Sequence, residues 1–517
     1  MARKVAVYWP GDQRLAPNQS ALQGVLAATA EMMEALQKVG CAPYLVAAND
    51  DPMQTFIAKP ADSIRHLTPI QDPTVAICTH WFYGTHTCDG MAGKENPLLL
   101  ASNWSGAAPG LVGLLNTGGC LESLGRKHSR IWTSQPKFVE DDLFMARLEQ
   151  WVFSGQINYR TDELAYSTPI SERANNIGRE IARRIRLEPI LMAMLGDTSM
   201  GMINGYFGPR LLSPLGFREQ KIDQALLPDY MNRVSGDRVN AAFKFVVAKG
   251  VNFHWREPGA EDFGSEDTSL QLKMYLAVLD MLEEFDAPCL GWQYQLGLIP
   301  ILPPSDFCEG LLNSHCRPEQ EGQEPIATST EADQGNLIPM ELMKRIQREK
   351  GMDGATIFHD VRWGAEHDGH FLWVLLNSGS CSAYAFNKRT DTLEGVHSYR
   401  QPKQYFPNAG GTFAGESLPG NITWARAYDR AGVMWMDVGR GRSVQLPAEV
   451  RDQWWNGTTR EWPIMAADLG CSQETIMGNY FSNHVALCYD DAFEEMVAVS
   501  RELGFKVRII SGSSKVA

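Results

Sequence analysis

The segment from Lys4 to Gly40 decides the fold at the start of this 517-residue chain. It reads KVAVYW at positions 4–9 and, after a loop, LQGVLAATAEMMEALQKVG at positions 22–40. The first stretch is a short apolar run, typical of a strand that is buried on both faces. The second repeats apolar residues at helical spacing and ends at a glycine. A buried strand followed by a helix predicts the first unit of a parallel sheet with crossover helices.

The same alternation continues through two thirds of the chain. Further strands are predicted at PYLVAA (43–48), TVAICTHWFYG (74–84) and PLLLAS (97–102). A basic helical stretch, RANNIGREIARRIRLE (173–188), precedes a second α/β unit, which opens with PILMAMLGDTSMGMINGYFG (189–208). We therefore predict two Rossmann-like α/β domains, at 1–168 and 169–352.

The pattern changes in the last third of the chain. ATIFHDV (355–361) and HFLWVLLNSGS (370–380) read as strands joined by the turn GAEHDG (364–369). Strand-like alternation continues beyond them, and a final helix and strand follow. This predicts a β-rich C-terminal domain at 353–517.

Composition narrows the range of partners. The net charge of −14 argues against the basic face that nucleic-acid binding needs. No apolar run is long enough for a signal peptide or a membrane span. The ten cysteines include no CxxC pair, which favours reduced thiols over a zinc ribbon or a disulfide framework. We expect a cytoplasmic protein that binds neither nucleic acid nor membrane.

Two of the three candidate sites have simple structural explanations. One is a local cluster of metal-ligand types: His359, Asp360, Glu366, His367, Asp368 and His370. Glu366, His367 and Asp368 lie in a predicted turn, where polar residues are usually solvated. The other is the glycine-rich stretch at 196–208. This stretch lacks both the GxGxxG and the GxxxxGK[ST] spacing. A substrate-lining turn, or simply a tight strand–helix connection, is therefore a better interpretation than a nucleotide site.

The third candidate combines distant residues: Glu331, Asp360 and the pair Asn483–His484. Two carboxylates and an imidazole suit Mn²⁺ or Mg²⁺, with positions left for the oxygens of a sugar. Spacing alone favours simpler explanations. In those, Glu331 begins a helix, Asp360 pairs with Arg362, and His484 is a hydrogen-bonded interior histidine.

An ordered series of motifs resembles the C-terminal half of L-fucose isomerases. The motifs are TSTEADQGNLIPMELM (328–343), IFHDVRWG (357–364), LLNSGSC (375–381), QYFPNAGGTF (404–413) and SNHVALCY (482–489). Weaker likeness lies upstream, in THWFYGTHTCD (79–89), SNWSGAAPGLVGLL (102–115) and LGDTSMGM (195–202). L-arabinose isomerases are similar in architecture but more distant.

The resemblance implies a fucose-isomerase-like fold and a metal-dependent aldose–ketose isomerase that acts on a free sugar through an enediolate. It implies Mn²⁺, with Mg²⁺ or Co²⁺ as substitutes, bound by Glu331, Asp360 and His484. Glu331 and Asp360 would also be the acid/base pair. The residues that would contact substrate are Asn483, Tyr405, Met200 and Gln293 or Gln295. Trp81 would reach the active site of a neighbouring subunit, because the family forms hexamers.

Several departures from the family pattern bear on the substrate. Ala332 replaces the asparagine of the family's Glu-Asn-Asp, Trp9 stands where an arginine is expected, and NWSGAAPG (103–110) lacks another arginine. We therefore expect a sugar other than L-fucose. Asp333 can be an ordinary charge at a helix start. A metal-independent glycoside hydrolase with paired carboxylates and a non-catalytic sugar-binding protein are the alternatives.

Overall fold

The structure, a computed structural model, describes residues 2–104, 106–196, 200–352 and 354–510. These residues form three main sheets that follow one another along the chain, with helices packed around them. The first two sheets are parallel and the third is mostly antiparallel, as the sequence predicts. The fold is therefore mixed α/β with a β-rich C-terminal region.

The first sheet is wholly parallel, in the order β2-β1-β4-β5-β6, with β3 beside the end of β1. Its strands are β1 (Arg3–Pro10), β2 (Cys41–Leu45), β3 (Phe56–Ile57), β4 (Thr74–Ile77), β5 (Leu98–Ser102) and β6 (Ser129–Trp132). Its helices are α1 (Leu15–Lys38), α2 (Pro60–Leu67), α3 (Thr85–Met91), α4 (Gly110–Ser123) and α5 (Asp142–Ser154). Alternate residues of β1 enter two separate core clusters, Val5 and Val7 one of them and Ala6 and Tyr8 the other. Burial on both faces explains why this strand is apolar throughout.

A short connection leads from the first sheet to the second. It contains β7 (Leu164–Ala165) and α6 (Glu172–Leu187). The second sheet is also parallel, in the order β12-β11-β8-β9, and a separate strand, β10, pairs with residues 397–398 of the later chain. The strands are β8 (Ile190–Leu195), β9 (Phe217–Ile222), β10 (Asn252–Phe253), β11 (Cys289–Trp292) and β12 (Ala327–Thr330). The helices are α7 (Gly208–Leu212), α8 (Leu226–Arg233), α9 (Gly236–Ala248), α10 (Ser265–Glu284), α11 (Asp306–Leu312) and α12 (Gln334–Lys350).

The third sheet has eight strands in the order β16-β19-β13-β14-β18-β17-β20-β7. Because β16 also pairs with β17, six of these strands form a closed ring. Besides β7, its strands are β13 (Thr356–His367), β14 (His370–Leu376), β16 (Gly420–Arg430), β17 (Val433–Val444), β18 (Met465–Asp468), β19 (His484–Cys488) and β20 (Lys506–Ile510). The strand β15 (His397–Ser398) lies outside this sheet and pairs with β10. The helices are α13 (Tyr384–Asn387), α14 (Ala448–Asn456), α15 (Gln473–Asn479) and α16 (Phe493–Leu503). The predicted turn at 364–369 is shorter than expected, since β13 and β14 pair up to His367 and His370 and leave only Asp368 and Gly369 between them.

The three sheets broadly follow the three predicted parts of the chain. One strand departs from this division, because β7 lies before residue 168 and pairs with β20 of the third sheet. The domain boundaries at 168 and 352 stay predictions. No helix of the described residues has the length and apolar character that crossing a membrane would require.

Strand order tells where a ligand would bind. In both parallel sheets the order reverses beside the first strand, between β1 and β4 and between β8 and β11. Ligands of open α/β sheets bind outside the carboxyl ends of the strands at such a reversal. The segments that follow these four strands contain Arg14, Trp81, Met200 and Gln295, which line the cavity described next.

Candidate active site

Glu331 lies immediately after β12, in a backbone conformation that side chains rarely adopt. Its φ is 58° and that of Ala332 is 53°, both in the left-handed region. Such a conformation costs of order 1–3 kcal/mol per residue and tends to cluster at functional sites. The helix start that the sequence offered for Glu331 belongs instead to Asp333, whose side chain accepts from the backbone N–H of Gly335.

Asp360 and His484 face each other across two neighbouring strands. They are direct partners in the β13–β19 ladder, so their side chains share one face of the sheet. His484 Nε2 lies 3.1 Å from Asp360 Oδ1 and 3.6 Å from Glu331 Oε2. The fold therefore brings together the three residues that the resemblance makes metal ligands, although they are far apart in sequence.

Asp333 fixes the orientation of the imidazole. Its Oδ2 lies 2.6 Å from His484 Nδ1, and Arg426 Nη1 lies 2.5 Å from the same oxygen. Asp333 is fully buried; burial opposes its charge, but Arg426 and His484 hold its pKa at about 2. Burial likewise opposes the charge on His484, yet Asp360 and Asp333 raise its pKa to about 9. Asp333 is thus more than an ordinary helix-start charge, which corrects the sequence interpretation.

The two cavity carboxylates differ in their hydrogen bonds. Asp360 Oδ2 accepts from Asn377 Nδ2 at 2.9 Å, and Oδ1 accepts from Asn483 Nδ2 at 3.2 Å. Glu331 Oε2 is buried without a hydrogen-bond partner, and burial raises the pKa of Glu331 to about 7 against the opposing effect of His484. Glu331 is therefore the carboxylate with an oxygen left for a ligand.

These groups open into a cavity with an empty volume of about 460 Å³, counting space continuous with solvent. Four aromatic and eight polar or charged residues contribute to the walls, a mixture that suits a sugar. The lining residues are Arg14, Trp81, Pro109, Val112, Met200, Gln295, Glu331, Asp360, Arg362, Asn377, Ser378, Tyr405, Phe406, Trp462 and His484.

Four of the predicted substrate residues line this cavity: Trp81, Met200, Gln295 and Tyr405. Trp81 does so within its own chain, whereas the resemblance placed it in the site of a neighbouring subunit. The physical reason is the packing of the first sheet on the third, where Trp132 and Trp373 approach to 5.9 Å between ring centroids. Residues 197–199 of the glycine-rich stretch lie outside the described residues.

The other two predicted substrate residues lie behind the walls. Asn483 donates to Asp360, and its Oδ1 is buried without a hydrogen-bond partner. Gln293 is also buried, and its Oε1 accepts from the backbone N–H of Gln295 at 3.3 Å. His367 and His370 of the local polar cluster line a separate surface depression.

Sequence reasoning missed several wall residues, among them Arg14 and Trp462. Asp12 holds Arg14 through two hydrogen bonds, 3.1 Å to Nε and 2.7 Å to Nη2. Arg14 also lies over the ring of Tyr405, 5.6 Å from its centroid. An arginine is expected at Trp9, which lies in β1, yet Arg14 is present five positions later, between β1 and α1. Trp462 has no comparable signal in the sequence, because a lone tryptophan is equally typical of a core.

The donor set suits a hard divalent cation, although the spacing of its members is that of an ion-pair cluster. Among the residues the structure describes, no group of three or more His, Cys, Asp or Glu is arranged so that it could hold a metal ion. The chemistry of these residues nevertheless fits a divalent cation. The site contains two carboxylates, an imidazole that Asp333 orients, and the unpartnered Oε2 of Glu331. A protonated His484 at 3.1 Å from Asp360 occupies the position between these groups. Metal binding accordingly stays a prediction.

Comparison with known proteins adds one positive finding. Residues 375–511 match the family model described as the C-terminal domain of L-fucose isomerase. No curated protein matches the chain. The matched segment includes Asn377, Tyr405 and His484 but begins after Glu331 and Asp360. The chain therefore carries a C-terminal domain of the L-fucose isomerase type, which supports its membership of the L-fucose isomerase-like family and suggests a sugar isomerase.

Proposed function

We propose that this protein is a metal-dependent aldose–ketose isomerase that acts on a free sugar. The observation that carries the proposal is the meeting of Glu331, Asp360 and His484 in one cavity that is lined by aromatic and polar side chains. The family match of the C-terminal domain supports the same class of reaction.

Glu331, Asp360 and His484 would hold the cation, for which Mn²⁺ is the expected metal. When bound, such a cation polarises a sugar carbonyl and stabilises negative charge on the adjacent oxygens. Asp333 keeps His484 in the tautomer that presents Nε2 to the cavity, by accepting a hydrogen bond from Nδ1.

Glu331 is the better placed of the two carboxylates for the carbon-bound proton. The reaction removes a proton from C2 of the aldose and returns one to C1, while a hydroxyl proton passes from O2 to O1. A base for the carbon-bound proton needs a carboxylate oxygen that no other donor occupies. Glu331 Oε2 meets this requirement, whereas both oxygens of Asp360 accept amide hydrogen bonds.

The opposite wall would bind and orient the sugar. Trp81, Tyr405 and Trp462 offer aromatic faces to the C–H faces of a pyranose or furanose ring. Arg14 is fixed by Asp12 and offers guanidinium donors to hydroxyl oxygens. We include a homo-oligomer, hexameric by the resemblance, in the proposal; sedimentation of the intact chain measures its mass.

A panel of aldoses tested for ketose formation is the direct experiment. The chain is freed of metal with a chelator and then assayed with Mn²⁺, Mg²⁺ or Co²⁺ restored separately. We expect at least one aldose to be converted only after metal is restored. Three outcomes would contradict the proposal: conversion that does not depend on metal, release of a sugar from a glycoside, and sugar binding without conversion.

A further inference from the structure

A second buried acidic pair lies beneath the cavity, outside the residues used so far. Asp306 and Glu309 are on α11, one helical turn apart, with relative exposures of 1% and 0%. Carboxylic acids are rarely buried this completely without an ion-pair partner or a metal. Among the ion pairs of the described residues, none involves either of these side chains.

Neutral groups supply the hydrogen bonds of the pair. Ser305 Oγ lies 2.7 Å from Glu309 Oε1, and Ser380 Oγ lies 3.1 Å from Oε2. Gln401 Nε2 donates to Asp306 Oδ2 at 2.6 Å, while Asp306 Oδ1 is buried without a hydrogen-bond partner. Two negative charges in these surroundings would have no cation to stabilise them.

The two carboxyl groups converge on one glycine. A Cβ atom added to Gly379 would come within 3.0 Å of both Glu309 Oε2 and Asp306 Oδ1. Two buried carboxylates this close cannot both be charged without strong repulsion, so one of them retains a proton.

The titratable groups around Asp306 and Glu309 agree with one retained proton. Burial, with the charge of Asp306 added to it, raises the pKa of Glu309 to about 8. The other titratable groups facing the pair are Cys308 on the same helix and Tyr294 after β11, with Tyr275 of α10 behind Cys308. Burial raises the pKa of all three, so they are neutral at physiological pH.

Two hydrogen-bonded routes and one loop connect the pair to the cavity. Ser380 Oγ accepts from the backbone N–H of Thr330 at 2.7 Å, directly before Glu331. The same loop carries Asn377, which donates to Asp360. On the other side, Trp462 Nε1 donates to Gln401 Oε1 at 2.8 Å, and Gln401 in turn donates to Asp306.

We propose that Asp306 and Glu309 are positioning residues which, by keeping one proton between them, hold the loop 377–380 and the wall residue Trp462 in place for the reaction. The proposal rests on the proposed isomerase function. The proton belongs to Glu309, whose carboxyl oxygens face only hydroxyl groups, while Asp306 stays ionised and accepts from the amide of Gln401. Loss of the proton at high pH would place two charges against Gly379 and displace Ser380, and with it the backbone before Glu331.

The first test is the pH dependence of kcat/KM in Glu309→Gln, in which a neutral amide replaces the protonated carboxyl. We expect activity within about threefold of wild type at neutral pH, since the substitution conserves volume and neutrality. We also expect the wild-type activity to fall as the pH rises through about 8, and this fall to be absent from the variant. The control is Glu341→Gln, a buried glutamate of α12 that pairs with Lys344 and Arg345, and its profile should match that of wild type.

A second measurement does not depend on turnover. Infrared spectroscopy of the wild-type protein should show the carbonyl band of a protonated carboxyl at neutral pH. Glu331, with a pKa of about 7, contributes to this band in all variants, so the band of Glu309 is the part that is missing from Glu309→Gln. That part should remain in Glu341→Gln and titrate at lower pH in Asp306→Asn, which removes the neighbouring charge.

The outcomes separate the two proposals. A wild-type protein with the band of Glu309 but no isomerase activity would contradict the proposed function. The proton shared by Asp306 and Glu309 would still be supported. Absence of the band of Glu309, or an alkaline loss of activity that Glu309→Gln shares with wild type, would overturn the positioning pair. A folded but inactive Glu309→Gln would also overturn it, since a neutral side chain at this position would then be insufficient.

Discussion

The two buried acidic clusters of this protein differ in the groups that surround them. Glu331 and Asp360 open into the cavity and face an imidazole that is itself held by Asp333 and Arg426. Asp306 and Glu309 are closed off and face hydroxyl and amide groups. Carboxylates beside a cationic group or a metal ion can stay ionised and take part in a reaction. Carboxylates without such a neighbour must retain a proton. Identical residue types therefore serve different purposes according to their neighbours.

The largest effect should come from Glu331→Gln. The substitution removes both the unpartnered cavity oxygen and a charge of the proposed metal site, so we expect ketose formation to fall by about 10³-fold or more. Circular dichroism and the Tm should stay near the wild-type values, because the side chain makes no hydrogen bond through Oε2 that the fold needs. Retained turnover would show that the reaction does not need Glu331, and the proposed difference between the two acidic clusters would then be wrong.

Asp333→Asn tests whether the imidazole needs its anionic partner. We expect the affinity for Mn²⁺, measured by calorimetry or electron paramagnetic resonance, to fall about 10–100-fold, as is typical when such a partner of a metal-binding histidine is removed. The variant should also be less stable, because Arg426 is left buried beside an amide.

Asp437→Asn is the matched control for that experiment. Asp437 is a buried carboxylate that forms a two-point ion pair with Arg508, away from the residues that line the cavity. It should lose stability in a similar way but keep its affinity for Mn²⁺. Equal losses of Mn²⁺ affinity in both variants would assign the effect of Asp333 to folding alone.

A smaller effect is expected from Trp81→Ala on the opposite wall. Loss of one aromatic face should raise KM about tenfold, with a lesser change in kcat, because stacking contributes about 0.5–1.5 kcal/mol beyond buried area. Steady-state kinetics on the best aldose of the panel measure this. An unchanged KM would remove Trp81 from the binding wall.

Mixed chains show which subunit supplies that wall. Chains with Arg14→Ala and Trp81→Ala together are co-expressed with Glu331→Gln chains. If each chain completes its own cavity, as the position of Trp81 in the structure indicates, no activity returns. Restored activity would show that the wall comes from a neighbouring subunit, as the resemblance implied.

Local sequence patterns predicted the architecture well, because strand burial and helix periodicity show in residues that are close together in the sequence. The parallel sheets and the β-rich last third were both expected, and β1 is apolar because both its faces are covered. The strand β7 was not expected, because two residues that pair with β20 carry no periodic signal. The turn before His370 was placed too early, because the polar residues Glu366 and His367 extend a strand whose register is set by its partner β14.

The sequence by itself determined the order of the elements and, through the spacing of its motifs, which acids and histidine to consider together. Only the tertiary structure decided how they differ. It gave Asp333 the role of holding His484, left Glu331 with a free oxygen, placed Gln293 behind the wall and brought Arg14 and Trp81 into the cavity of their own chain. The physical reason is that burial, hydrogen-bond partners and charge neighbours depend on segments hundreds of residues apart, which meet only when the sheets pack.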